Sequence, residues 1–266
     1  MFVGLGLYDC SDITLRGLRE LANADVVYLE TYTSLVPDLS IAELERLIGK
    51  KVKIVGRPDL EDRSGLELIE EARDRVVALL VPGDPFVATT HVAVRLEAEK
   101  RGVKTEVVHA PSIISAAASS TGLQPYKFGK PATLVYPDPE RGFYPLSTYG
   151  TLVDNLSRGL HTLLLLDLKV EESVCMDIRD AVGVLFELEE LEKMGAISDE
   201  TLGIGLARIG SPDQEIKAGT LRELERWDFG PPPHSLIIPG ELHPLEAEAL
   251  VLLCNCGREL VERWLK

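Results

Sequence analysis

The sequence is short of positive charge. Against 43 aspartates and glutamates it sets 28 lysines and arginines, a formal net charge of -15 over 266 residues. A surface of that sign repels phosphate backbones, which disfavours a general nucleic-acid binder and leaves solubility or the steering of a basic protein partner. Long apolar runs are also missing. The run at 163–166 stops at Asp167, that at 76–81 stops at Pro82, and none comes near the roughly 20 residues of a membrane span. The opening MFVGLGLYD lacks the basic stretch and small-residue cleavage site of an export signal, so a cytoplasmic protein is expected. Cys10, Cys175, Cys254 and Cys256 make no CxxC pair, and Cys254-Asn255-Cys256 is too tight for an ordinary zinc framework. Reduced, partly buried thiols are expected instead. His91, His109, His161, His234 and His243 include no HExxH and no HxH, and no metal is expected.

What is present has the balance of an ordinary globular protein, with 45% apolar and 27% charged residues, which argues against disorder. The length suggests one large or two ordinary domains. Strand-like runs at 2–5, 26–29, 51–55, 76–81 and 103–109 alternate with helical spacing in between. Ser11 or Asp12 is placed to cap the first helix, and S-x-x-E pairs at Ser40/Glu43 and Ser64/Glu67 have the capping-box pattern. Gly49 is placed to end the second helix, and a further helix is expected over 89–100. Five strands interleaved with four helical segments predict an open, largely parallel α/β sheet over residues 1–110.

Pro111 marks the expected boundary. Residues 111–266 read as a second, more mixed α/β domain. A small-residue helix lies at 112–119, and a Pro-, Tyr- and Gly-rich stretch at 124–145. Strands are expected near 133–136, 161–166, 202–207 and 235–238, and helices at 147–157, 177–194, 218–226 and 247–264.

Three motifs stand at strand ends, where open α/β sheets bind ligands. Gly4-Leu5-Gly6 follows the first strand, where glycines let backbone approach a ligand. The third glycine of a dinucleotide fingerprint is Asp9 here, so that fingerprint fails, although Glu30 lies at the right distance for a ribose-binding acid. Val81-Pro82-Gly83-Asp84-Pro85 fixes a tight turn that holds Asp84 at the sheet edge, suited to a ribose hydroxyl or an ammonium group. Ser112 can cap a helix whose free amides face an anion, though an isolated serine is by default only a cap. Asp167 and His234 end and begin later strands, the histidine behind a stiff run of three prolines.

The stretches FVGLGLYD, TYTSL, VPGDPFVATTH, HAPSI, TGLQPYKFGK, GLHTLLLLDLK, LARIG and PPHSLIIPG together resemble the tetrapyrrole methylase superfamily, and within it the diphthine synthase family. The resemblance implies two α/β domains with a cofactor cleft between them and S-adenosylmethionine as methyl donor. It implies cofactor contacts at Leu7, Asp84, Val87, Ser112, Ile113, Leu166, Ile209 and His234. The implied substrate is 2-(3-amino-3-carboxypropyl)histidine on elongation factor 2. Its amino group is methylated repeatedly, to a trimethylated product in the archaeal relatives of this size, by a homodimeric enzyme.

Methyl transfer from a sulfonium is an in-line displacement that asks chiefly for alignment and exclusion of water. The attacking amine must be neutral, which desolvation favours. No acid–base pair stands out, and His161, Asp167 and His234 are the candidate bases. Thr89, Thr90, His91, Tyr126 and Lys127 are candidate substrate contacts, against a plain helix start and a solvated loop. The rivals are a precorrin methyltransferase of the same fold, a dinucleotide oxidoreductase resting on Gly4, Gly6 and Glu30, and a silent cofactor-binding module.

Overall fold

The computed structural model describes residues 1–170 and 174–265. Two compact units emerge. One comprises Met1–Ile113 with Lys169 and Val170, the other Ile114–Leu168 with the described residues from Val174 onward.

In the first unit, strands β1 (Phe2–Gly4), β2 (Val26–Glu30), β3 (Val52–Val55), β4 (Val77–Val81) and β5 (Val107–Val108) form one sheet in the order β3-β2-β4-β1-β5. Every pairing is parallel. Side chains on the two faces enter separate cores. Phe2, Tyr28, Leu79 and Val81 pack on one side, and Val3, Leu29, Leu80 and Val108 on the other. That is why β2 and β4 read as unbroken apolar runs, since a strand covered on both faces has no polar alternation. Helices α1 (Leu15–Asn23), α2 (Ile41–Ile48), α3 (Leu66–Glu71) and α4 (Val92–Lys100) lie between the strands in sequence.

The helix starts depart from expectation in instructive ways. Ser40 does cap α2, accepting from the Glu43 N–H, and Gly49 ends it in a left-handed conformation. Ser11 and Asp12 instead lie in a single 3-10 turn, and Thr14 caps α1. Ser64 does not cap α3. It takes a left-handed φ of 54°, and Gly65, which has no side chain to offer, is the capping residue. The helix expected from residue 89 begins at Val92, and the strand expected over 103–109 shrinks to Val107–Val108. The lost strand residues are tied to α4, through Val103 N–H to Ala98 O and Thr105 to the Glu99 carboxylate.

Helix α5 (Ile113–Thr121) leads into the second unit. There follow β6 (Ala132–Leu134), α6 (Leu146–Ser157), β7 (Thr162–Leu166), the paired short strands β8 (Leu168–Lys169) and β9 (Val174–Cys175), and α7 (Ile178–Glu192). The chain ends with β10 (Leu202–Ala207), β11 (Glu215–Thr220), α8 (Leu221–Arg226), β12 (His234–Ile238), α9 (Pro244–Leu253) and α10 (Arg258–Glu262). The main sheet runs β11-β10-β12-β7-β6, antiparallel except for the β6–β7 pair.

Two expectations fail here. The helix expected over 218–226 starts three residues later, because residues 215–220 pair with β10 along its whole length and become β11. Tertiary pairing overrides the local helical pattern. The single closing helix expected over 247–264 is two helices, interrupted where Asn255 turns left-handed (φ 50°) and Gly257 caps α10. No described helix is long and apolar enough to cross a membrane. The described residues contain no group of three metal-ligating side chains.

Candidate functional site

The carboxyl ends of β1 and β4 adjoin, and the structure joins the two motifs that follow them. Gly6 N–H donates to Gly83 O at 3.2 Å, and Gly83 N–H returns a bond to Gly6 O at 2.8 Å. Both glycines are left-handed, at φ 82° and 66°. The glycines of the first motif answer to protein neighbours. A Cβ on Gly6 would stand 2.2 Å from Asp12 Cβ, and one on Gly4 would stand 2.6 Å from both Ala110 Cβ and Gly83 O. Close backbone packing therefore accounts for both positions, where the sequence suggested approach of a ligand.

Asp84 follows directly. It is nearly buried, at 8% exposure. Its Oδ1 accepts from Phe86 N–H at 3.3 Å, and its Oδ2 is 2.7 Å from His109 Nδ1. A carboxylate offers about four acceptor positions, so Asp84 has lone pairs that no described donor occupies. Half-buried Val87 donates its N–H to Asp84 O at 3.2 Å, which closes the turn. Leu7 sits beside Gly6, but Asp12 Oδ2 takes its N–H, and that of Tyr8, at 2.9 Å each. Any ligand contact at Leu7 must use its carbonyl or side chain. Ser112 is buried immediately before α5, and half-buried Ile113 opens that helix.

Glu30 is otherwise occupied. Fully buried, it accepts from Tyr32 N–H at 2.9 Å, Thr33 N–H at 3.1 Å, the Thr33 hydroxyl and His91 Nε2 at 3.4 Å. It pins the chain after β2 and is not available to a ribose. The residues of the following helix start are structural too. Thr89 Oγ1 donates to Pro85 O at 2.7 Å, Thr90 Oγ1 to Glu61 at 3.0 Å, and His91 is wholly enclosed. As a surface group awaiting a substrate, His91 is corrected to a part of the turn, while Thr89 and exposed Thr90 give their hydroxyl hydrogens to protein acceptors. His91 Nδ1 is buried there without a protein partner.

The second unit separates the remaining candidates. His161 is fully buried. Its Nδ1 accepts from Gly240 N–H at 3.0 Å, so Nε2 carries the hydrogen and faces Glu246 Oε1 at 3.0 Å. Burial pushes its pKa down. With both nitrogens engaged, His161 cannot serve as a base, which corrects that expectation. Lys127 belongs to the same knot, its ammonium on Glu246 Oε2 at 2.6 Å and on Glu241 O, so it is no free substrate contact either. Tyr126 beside it is 94% exposed. Asp167 Oδ2 accepts from Tyr136 N–H at 3.2 Å, at the end of β6.

His234 is different. Its Nε2 lies 3.1 Å from Pro231 O, which fixes the hydrogen on that nitrogen, and leaves Nδ1 buried as an acceptor with no protein donor. Burial lowers its pKa, favouring the neutral ring. The proline loop that sets this tautomer is anchored by Arg208, which sequence reasoning passed over. Nearly buried and left-handed at φ 49°, Arg208 donates to Phe229 O at 2.7 Å, Pro231 O at 2.5 Å, Asp213 O at 2.8 Å and Asp213 Oδ2 at 2.9 Å. Its buried neighbour Ile209 and Leu166 at the end of β7 are apolar. His109 was also passed over, although its place just beyond β5, at the edge that carries Asp84, was a signal.

The sequence model of the tetrapyrrole (corrin/porphyrin) methylases matches residues 1–225. A diphthine synthase of Staphylothermus marinus is 44% identical over 265 residues, 99% of this chain and 96% of its own length. One of Methanocaldococcus jannaschii is 42% identical over 96% of this chain and 98% of its own. A crystal structure of diphthine synthase superposes with a TM-score of 0.87 at 39% identity, covering 99% of this chain and 98% of that one. The chain belongs to the tetrapyrrole methylases, in the diphthine synthase family. It is a methyltransferase of that fold, with a parallel sheet in one α/β unit and a mixed sheet in the other. Membership in the diphthine synthase family sets the precorrin reading aside. The oxidoreductase reading falls with it, since Glu30 has no lone pair to spare.

Proposed function

We propose that the chain transfers methyl groups from S-adenosylmethionine to the amino group of 2-(3-amino-3-carboxypropyl)histidine on elongation factor 2, giving diphthine. The observation that carries this reading is the likeness to diphthine synthases along almost the whole of both chains. The donor brings its own activated methyl on a sulfonium, so the protein's task is to bind, align and exclude water.

The residues present fit that donor. Asp84 keeps acceptor positions for hydroxyl or ammonium hydrogens. His234 keeps one buried acceptor for an N–H. Leu7, Val87, Leu166 and Ile209 supply apolar contact, and Ser112 and Ile113 stand at the start of α5, where helix amides suit a carboxylate. Desolvation favours the neutral form of the attacking amine. The net charge of -15 suits a basic region on the protein substrate and speaks against nucleic acid. A cytoplasmic homodimer is part of the same reading.

Asp84→Ala tests the site. We expect donor affinity, measured by calorimetry, to fall about tenfold or more, as for loss of a charge-assisted hydrogen bond, with little change in thermal stability. Unchanged affinity would remove Asp84 from the site. The reaction itself is read by mass spectrometry of elongation factor incubated with enzyme and donor, where absence of any methylated product sinks the substrate assignment.

A further inference from the structure

His109 is 75% exposed at its side chain, yet its Nδ1 lies 2.7 Å from Oδ2 of nearly buried Asp84. A carboxylate can only accept, so His109 Nδ1 carries the hydrogen, in the neutral ring and the cationic ring alike. An exposed histidine held this close to a buried acid needs a reason, and the sheet supplies one. Asp84 follows β4 and His109 follows β5, and these two strands flank β1 on opposite sides. Between their ends lies Gly4, the last residue of β1. The atoms that a Cβ on Gly4 would strike are Gly83 O, one residue before Asp84, and Ala110 Cβ, one residue after His109. The missing side chain is what lets the two strand ends close over β1 until the imidazole reaches the carboxylate.

The bond has a consequence for Asp84. The terminal torsion of aspartate is broad and roughly two-fold, so the side chain alone does not fix where its oxygens point. Phe86 N–H holds Oδ1 loosely at 3.3 Å, while His109 holds Oδ2 at a strong charge-assisted distance. With both in place the carboxylate plane is set, and the lone pairs that remain have one direction. We infer that His109 is a positioning residue for donor binding, orienting the Asp84 carboxylate across Gly4 without itself touching the donor. The inference rests on the reading that Asp84 binds S-adenosylmethionine.

Three substitutions at His109 separate orientation from simple surface contact. Asparagine places an N–H near the site of Nδ1, glutamine places it near Nε2, and alanine removes it. Calorimetry with S-adenosylmethionine and S-adenosylhomocysteine should show His109→Ala binding about fivefold more weakly, the scale of one hydrogen bond to a charged group partly exposed to water. His109→Asn should recover affinity to within about twofold of the parent, and His109→Gln should not. In turnover assays KM for the donor should rise in His109→Ala while kcat at saturating donor holds. All three variants should melt with the parent protein, because His109 is exposed. On an Asp84→Ala background, His109→Ala should cost nothing further. Parent-like binding by His109→Ala, or no recovery in His109→Asn, overturns the positioning role. If Asp84→Ala alone binds the donor normally, the assignment of Asp84 is what fails, and the role of His109 with it.

Discussion

Asp84 and Glu246 are both nearly or wholly enclosed acids beside loops rich in proline or glycine, yet they differ in what their neighbours leave open. Glu246, at the start of α9, meets four donors on its two oxygens: Lys127 at 2.6 Å, His243 N–H at 2.8 Å, Gln124 N–H at 2.8 Å and His161 Nε2 at 3.0 Å. Asp84 meets two, one of them long. The first acid closes a loop onto a helix and has nothing left to offer. The second is held by the fold and still has acceptors in hand. The same contrast divides the histidines, with both nitrogens of His161 taken and one nitrogen of His234 open. Burial and residue type do not separate the members of these two pairs; the count of unused lone pairs does.

The sharpest way to break that contrast is to truncate the closed acid. Glu246→Ala leaves the Lys127 ammonium, two backbone N–H groups and His161 without their acceptor. We expect a loss of about 3–5 kcal/mol in urea unfolding, the scale of breaking a buried ion pair. Donor affinity of the protein that remains folded should be unchanged, the reverse of Asp84→Ala. A stable Glu246→Ala protein that no longer binds donor would show the contrast to be drawn the wrong way round.

Acid titration reads the same difference more gently. Burial alone would raise the pKa of Glu246, but the Lys127 ammonium, the His243 and Gln124 amides and His161 overcome it and hold the carboxyl at about 2. A depressed acid contributes stability that is present above its unfolded value of about 4.3 and is lost as pH falls toward the folded one. Burial lowers the pKa of His161 and of His234 as well, so both favour the neutral ring when folded. Their contribution is complete above about pH 6.5 and is lost below it, where the unfolded chain binds more protons. Urea midpoints should therefore fall in two stages, first below about pH 6.5 and again below about pH 4.3. A midpoint that stays level from pH 7.5 to 5 contradicts the burial of the two neutral rings.

How much of this was legible depended on how far apart in sequence the partners lie. The parallel sheet was readable because β2 and β4 are continuous apolar runs between helical spacings, a local signal. Asp84 was readable because two prolines and a glycine announce a fixed turn around it. His161 was misread because what silences it, Gly240 and Glu246, lies 79 and 85 residues away. Lys127 was misread for the same reason, its partner Glu246 being 119 residues off. His109 went unnoticed because its relation to Asp84 exists only once β1 lies between β4 and β5. The glycines were marked for approach of a ligand, whereas the neighbours that the structure sets beside them are Asp12, Gly83 and Ala110, and a sequence cannot tell one kind of close approach from the other. Strand β11 was hidden because Ala218, Gly219 and Thr220 carry no strand pattern apart from their pairing with β10.

The smallest effect compares the two units at their helix starts. Ser64/Glu67 in the first unit has the capping-box spacing and makes no cap, while Thr220/Glu223 in the second makes a complete one. Thr220 accepts from Glu223 N–H at 3.2 Å, and Glu223 Oε2 accepts from Thr220 N–H at 2.8 Å. The difference is conformational. Thr220 is extended as it leaves β11, the geometry a cap requires, whereas Ser64 is left-handed at φ 54° and hands the position to Gly65. Thr220→Ala should therefore cost about 1 kcal/mol, and Ser64→Ala should stay within about 0.5 kcal/mol of the parent. Chemical denaturation of the two variants side by side decides the matter. Equal losses would mean that Ser64 caps α3 in solution, and that spacing in the sequence outranks the backbone angle that the fold imposes.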